Sequence, residues 1–140
     1  MNLQFALESY RQAGPVSEVE TASRFRLIQI LMEHTLKQLA VACAITDGGD
    51  AVKRREALGK AIDGVETLRQ SLSEDHQDEE LGQRLDALYS HMTEELVRSN
   101  LDMSPGRIQH VQTLLSTLKS AWDQLPANRP NDVNLDAYFS

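Results

Sequence analysis

Apolar residues recur at three- and four-residue spacing in four stretches of this chain. The first carries Ile28, Leu31, Thr35, Leu39 and Ala42, and the second Leu58, Ala61, Ile62, Val65, Leu68 and Leu72. The third carries Leu81, Leu85, Leu88, Tyr89, Met92 and Leu96, and the fourth Ile108, Val111, Leu115, Leu118 and Trp122. That spacing puts each set on one side of a helix of about 20 to 26 residues. Turn chemistry separates the stretches. Asp47-Gly48-Gly49-Asp50 holds both a helix stop and a helix start, Ser73 to Asp78 is polar, and Ser104-Pro105 offers an N-cap followed by a first-turn proline. No stretch alternates cleanly, and β-branched residues are few, so strands are not expected. The pattern predicts an all-α fold, an antiparallel up-down four-helix bundle over residues 16–125.

The flanking pieces read differently. Residues 1–15 are expected to form an N-terminal docking segment, a short amphipathic helix broken by Gly14-Pro15 and too short to hold without the bundle. Residues 126–140 are rich in Asn, Asp and Pro and are expected to be a mobile tail.

Two features exceed what a bundle needs. Beyond its core stripe the first helix carries Leu27, Ile30, Val41, Ala44 and Ile45. The second helix lines up Ala57, Ala61 and Gly64 on one flank, continued by Leu68. Glycine inside a helix costs about 1 kcal/mol relative to alanine, so a small-residue shelf implies close approach of another backbone. The expectation is a shallow apolar groove that receives a helix, with Ile30, Leu31, Val41, Ala57, Ala61, Gly64, Leu68 and Tyr89 as its candidate residues. The plainer readings are that the first helix is the most buried one and that the small residues make a tight contact inside the bundle. A third is a self-association face, which would make the chain a helical-bundle adaptor for another client.

Composition narrows the function. The 140 residues carry a net charge of -7, which disfavours nucleic acid and anionic membranes. One cysteine, Cys43, lies in an apolar run and reads as a buried small hydrophobe in a reducing compartment. Met1 to Glu8 has no basic and apolar signal pattern, and no apolar run reaches the ~20 residues of a membrane helix. A cytosolic protein without membrane insertion is therefore expected.

Catalytic chemistry is not evident. No Glu stands three residues before His34, His76, His91 or His110, as a carboxylate-bridged metal bundle requires. His91 with Glu94 and Glu95 has helical spacing but makes a single pair. There is no CxxC, HExxH or glycine-rich phosphate loop. No catalytic residue, metal ligand or cofactor is assigned, and an enzyme is not expected.

Several motifs taken in order resemble one family from about Leu7 to Leu125. They are Leu7 with Tyr10; Val19-Glu20-Thr21-Ala22-Ser23 followed by Leu27-Ile28; Glu56-Ala57-Leu58-Gly59-Lys60-Ala61; Leu88-Tyr89 with Met92; Asn100-Leu101; and Ala121-Trp122. The pattern is similar to that of the flagellar secretion chaperone FliS family. It departs where Arg24 replaces a usual proline, where Met32, Glu33 and His34 replace an aromatic, an Asp and a Gly, and at Ser90-His91. The resemblance implies a cytosolic export chaperone that binds the disordered C-terminal segment of flagellin and prevents its premature polymerisation. It also implies delivery to the cytosolic domain of the flagellar type III export gate, with Leu7 and Tyr10 as lid or export-gate contact. Monomer or weak dimer is left open. Leu135, Tyr138 and Phe139 raise a further expectation, that the tail folds back on the groove as a placeholder for the client.

Overall fold

The computed structural model describes residues 23–45, 49–72 and 79–125. The docking segment, its Leu7 and Tyr10, and the tail with Leu135, Tyr138 and Phe139 lie outside the described residues. Four helices make up the described chain: α1 Arg24–Ala44, α2 Ala51–Ser71, α3 Glu79–Asp102 and α4 Pro105–Asp123.

Local chemistry sets the ends. The Ser23 hydroxyl accepts the Arg26 N–H at 3.2 Å and starts α1. The Asp50 carboxylate accepts the Lys53 N–H at 3.0 Å and starts α2. Each cap satisfies a donor that the first turn leaves without a helical partner. Glu79 and Glu80 place negative charge at the positive end of α3. Ser104 occupies the N-cap position of α4 with Pro105 behind it, but its hydroxyl makes no capping bond. Its N–H instead donates to Asp102 at 3.0 Å. Arg107 closes the α3–α4 corner on the same carboxylate at 2.6 Å and on Glu95 at 3.0 Å.

Cross-helix pairs fix the arrangement. Arg24 at the start of α1 donates to the Ser71 carbonyl at the end of α2, at 2.8 Å. Arg69 near the end of α2 meets Asp86 near the start of α3 at 2.7 Å. The indole N–H of Trp122, near the end of α4, donates to the Phe25 carbonyl at the start of α1 at 3.1 Å. Successive helices therefore meet start to end, and each packs on two others in the cycle α1–α2–α3–α4–α1. Arg24, at the position of the proline expected from the resemblance, ties the start of α1 to α2.

The core follows the periodic positions. Ile28, Leu31, Thr35, Leu39 and Ala42 of α1 are all buried, as are Leu58, Ala61, Val65 and Leu68 of α2. Leu81, Leu85, Tyr89, Met92 and Leu96 join them from α3, and Ile108, Val111, Leu115 and Leu118 from α4. Ile62, Leu72, Leu88 and Trp122 are partly buried at its edge. Cys43 is half-buried rather than fully buried, because it falls one position off the core stripe that buries its neighbour Ala42. Among the described residues, no helix is long and apolar enough to cross a membrane.

Candidate functional site

The structure separates the candidate groove residues into two groups. Leu31, Ala57, Ala61, Gly64, Leu68 and Tyr89 are all buried. Ile30 and Val41 are half-buried and rest against the core from outside.

The small strip of α2 is thus not an open shelf; α1 already occupies it. A Cβ built on Gly64 would overlap Oγ1 of Thr35 and lie 3.2 Å from its Cβ and 3.3 Å from its Cγ2. Thr35 cannot swing aside without loss, since its hydroxyl donates to the Leu31 carbonyl at 2.8 Å. The glycine is there so that α1 and α2 can meet at this point. The sequence signal was sound about close approach, but the approaching backbone is the chain's own.

Tyr89 also lies inside. It lines a cavity of about 30 Å³ with Ile28, Met32, Leu68, Ser71 and Leu118, where the start of α1 and the end of α4 converge. That space suits a water molecule or two rather than a client side chain. Burial pushes the Tyr89 phenol well above its usual range, so the ring stays neutral. Beside it Trp122 stacks on Phe25 with ring centroids 5.3 Å apart.

What remains on the outer side of α1 is a second apolar line. Leu27, Ile30, His34 and Val41 follow at steps of three, four and seven, which places them on one flank of the helix. His34 locates that flank. Its pKa is held below the ordinary histidine value by burial, then by the nearby Lys60 ammonium of α2 and by Lys37. The line therefore runs along the outer edge of the α1–α2 seam.

A second apolar group lies where the end of α3 meets the start of α2. Leu101 is 81% exposed and Val97 47%, one turn apart on α3, with Met103 in the corner and Val52 at the start of α2. Sequence reasoning missed this group because their spacing on α3 overlaps the core stripe. It missed two other features as well. Arg54 is buried and donates to the Met103 sulfur at 2.9 Å and to the Ser99 carbonyl at 3.3 Å. Met103 holds a φ of 59°, a conformation that side chains rarely adopt.

No group of three or more His, Cys, Asp or Glu suited to a metal occurs among the described residues.

Comparison with known proteins finds relatives over most of the chain. Residues 6–129 match the family described as Flagellar protein FliS. The chain is 32% identical over 127 residues to the flagellar secretion chaperone FliS of Vibrio cholerae, covering 90% of this chain and 92% of that one. It is 33% identical over 118 residues to FliSB of Pseudomonas aeruginosa, covering 84% and 93%. Against the flagellar secretion chaperone FliS of Escherichia coli it is 33% identical over 118 residues, covering 84% and 86%. With matches of this extent, the chain belongs to the FliS family, a family of flagellar secretion chaperones and not of enzymes.

Proposed function

We propose that this chain binds the C-terminal segment of flagellin in the bacterial cytosol, keeps it from polymerising, and hands it to the cytosolic domain of the flagellar export gate. The observation that carries the reading is the second apolar line on α1. Leu27, Ile30 and Val41 stay half-buried on a helix that has already buried a full core stripe. A bundle helix needs one apolar face, and a second invites another helix. An amphipathic client helix presents anchors at matching steps of three, four and seven.

The exposed Val97, Leu101 and Met103 offer a second foothold at the end of α3. A segment that is disordered before capture loses conformational freedom on binding, so an extended contact over both patches is needed to offset that cost. In this reading Ile30 and Val41 touch the client directly. Leu31, Ala57, Ala61, Gly64, Leu68 and Tyr89 hold the wall on which it lies. Leu7 and Tyr10 cover the groove or contact the gate. The working unit is one chaperone with one client.

Calorimetric titration with the C-terminal segment of flagellin tests this. One-to-one binding with a negative heat-capacity change is expected, the sign of buried apolar surface. No binding to that segment, or equal binding to flagellin's central region, overturns the client assignment.

A further inference from the structure

The α3–α4 seam carries a pair of groups that the chaperone reading does not use. His91 of α3 and His110 of α4 bring their Nε2 atoms to 2.9 Å, with rings 5.2 Å apart and nearly perpendicular. Both side chains are exposed. As a neutral pair they share one hydrogen bond, one ring donating from Nε2 and the other accepting.

That spacing is also a chelating one. Metal–imidazole bonds are about 2.05 Å, which sets two ligands at a right angle about 2.9 Å apart and two tetrahedral ligands about 3.3 Å apart. The two rings stand on separate helices, fixed by core residues one position away from each: Met92 beside His91 and Val111 beside His110. Chelation requires each exposed ring to turn until its Nε2 points at a shared ion instead of at the other ring, with the N–N spacing nearly kept.

We infer that His91 and His110 form a two-point clamp for a divalent transition-metal ion of the nickel, copper or zinc class. On binding, both Nε2 lone pairs turn to the ion. The ring that carried its proton on Nε2 shifts it through solvent to Nδ1, so charge and protons balance. Imidazole is the favoured ligand of these ions, and water fills the remaining positions. Glu94 and Glu95, one turn further along α3, are engaged by Arg98 at 2.6 Å and Arg107 at 3.0 Å, so the first coordination sphere is two imidazoles and solvent. The ion links α3 to α4 and stabilises the folded chain by mass action.

The test uses full-length protein stripped with a chelator and titrated with nickel chloride, followed by calorimetry and thermal melting. The expected result is one bound ion and a melting temperature that rises with nickel. His91→Ala and His110→Ala should each weaken binding by at least the ~10–100-fold that loss of even a supporting partner costs a metal site. The double variant, with neither imidazole left, should bind no more tightly than either single one. Both positions are exposed, so the variants keep the fold. Absence of binding by the parent protein overturns the inference. So does binding that persists unchanged in either variant, since the ion then sits elsewhere.

Discussion

Gly64 lies directly against Thr35, and that contact sets how near α1 and α2 approach. There is no room for a methyl group at residue 64, because Thr35 Oγ1 fills the position a Cβ would take. Gly64→Ala should therefore destabilise the bundle despite alanine's better helix propensity. Overpacking of this kind costs about 1–3 kcal/mol. Thr35→Ala removes the obstacle, so the double variant should recover part of the loss, with a coupling of about 0.5–3 kcal/mol. Chemical denaturation of the four proteins measures it. Strict additivity would mean that the two residues do not constrain each other.

Trp122 is the single tryptophan of the chain, so its fluorescence reports on the α1–α4 contact. Its indole N–H bonds to the Phe25 carbonyl, and its ring stacks on Phe25. Trp122→Phe keeps an aromatic stack and loses the hydrogen bond. The expected loss is about 1 kcal/mol, and Trp122→Ala should cost more by removing the ring contact as well. Equal stability of the Phe variant and the parent would show that the hydrogen bond contributes nothing.

His34 gives stability a specific pH dependence. Burial and Lys60 hold its pKa below that of the unfolded chain. The unfolded chain therefore takes up the proton first on acidification. Stability is complete above the ordinary histidine pKa and falls as pH drops from there through the lowered folded value. Asp102 acts in a separate, more acidic window. Arg107 and the Ser104 N–H hold its carboxyl below the usual range, so its contribution is lost only as pH falls through the carboxylate region. Denaturation curves at pH 7.5 and 5.5 should differ less for His34→Gln than for the parent. An unchanged difference would rule out a contribution from His34.

The four helices were legible because each carries a full apolar stripe with chemically clear ends. Asp50 and Ser104 stand at the cap positions their types predict. The groove was less legible. Periodicity says that Ala57, Ala61 and Gly64 share a flank, but not which helix packs there. Only the tertiary arrangement shows that Thr35 fills the space. His91 and His110 are 19 residues apart, and no local pattern pairs them. Arg54 reads as a solvated charge by type, yet it is buried beneath Met103. The family resemblance carried the functional expectation where spacing alone left self-association open.

Association state follows from the same geometry. If the α1 flank serves a client, free chains should sediment as monomers or weak dimers, and the flagellin segment should displace any dimer. A tight dimer indifferent to that segment would assign the flank to self-association.

The central claim is that the outer flank of α1 receives the flagellin segment. Calorimetric titration of Ile30→Asp and Val41→Asp against the parent tests it most directly. Both residues are half-buried on the outer side, so the helical circular dichroism and the cooperative melt should persist. A charge placed in an apolar contact should weaken binding by tenfold or more, about 1.4 kcal/mol or above. The heat-capacity change should shrink with it. Parent-like affinity in both variants, with binding lost instead on Leu101→Asp, would contradict the account and move the client from α1 to the end of α3.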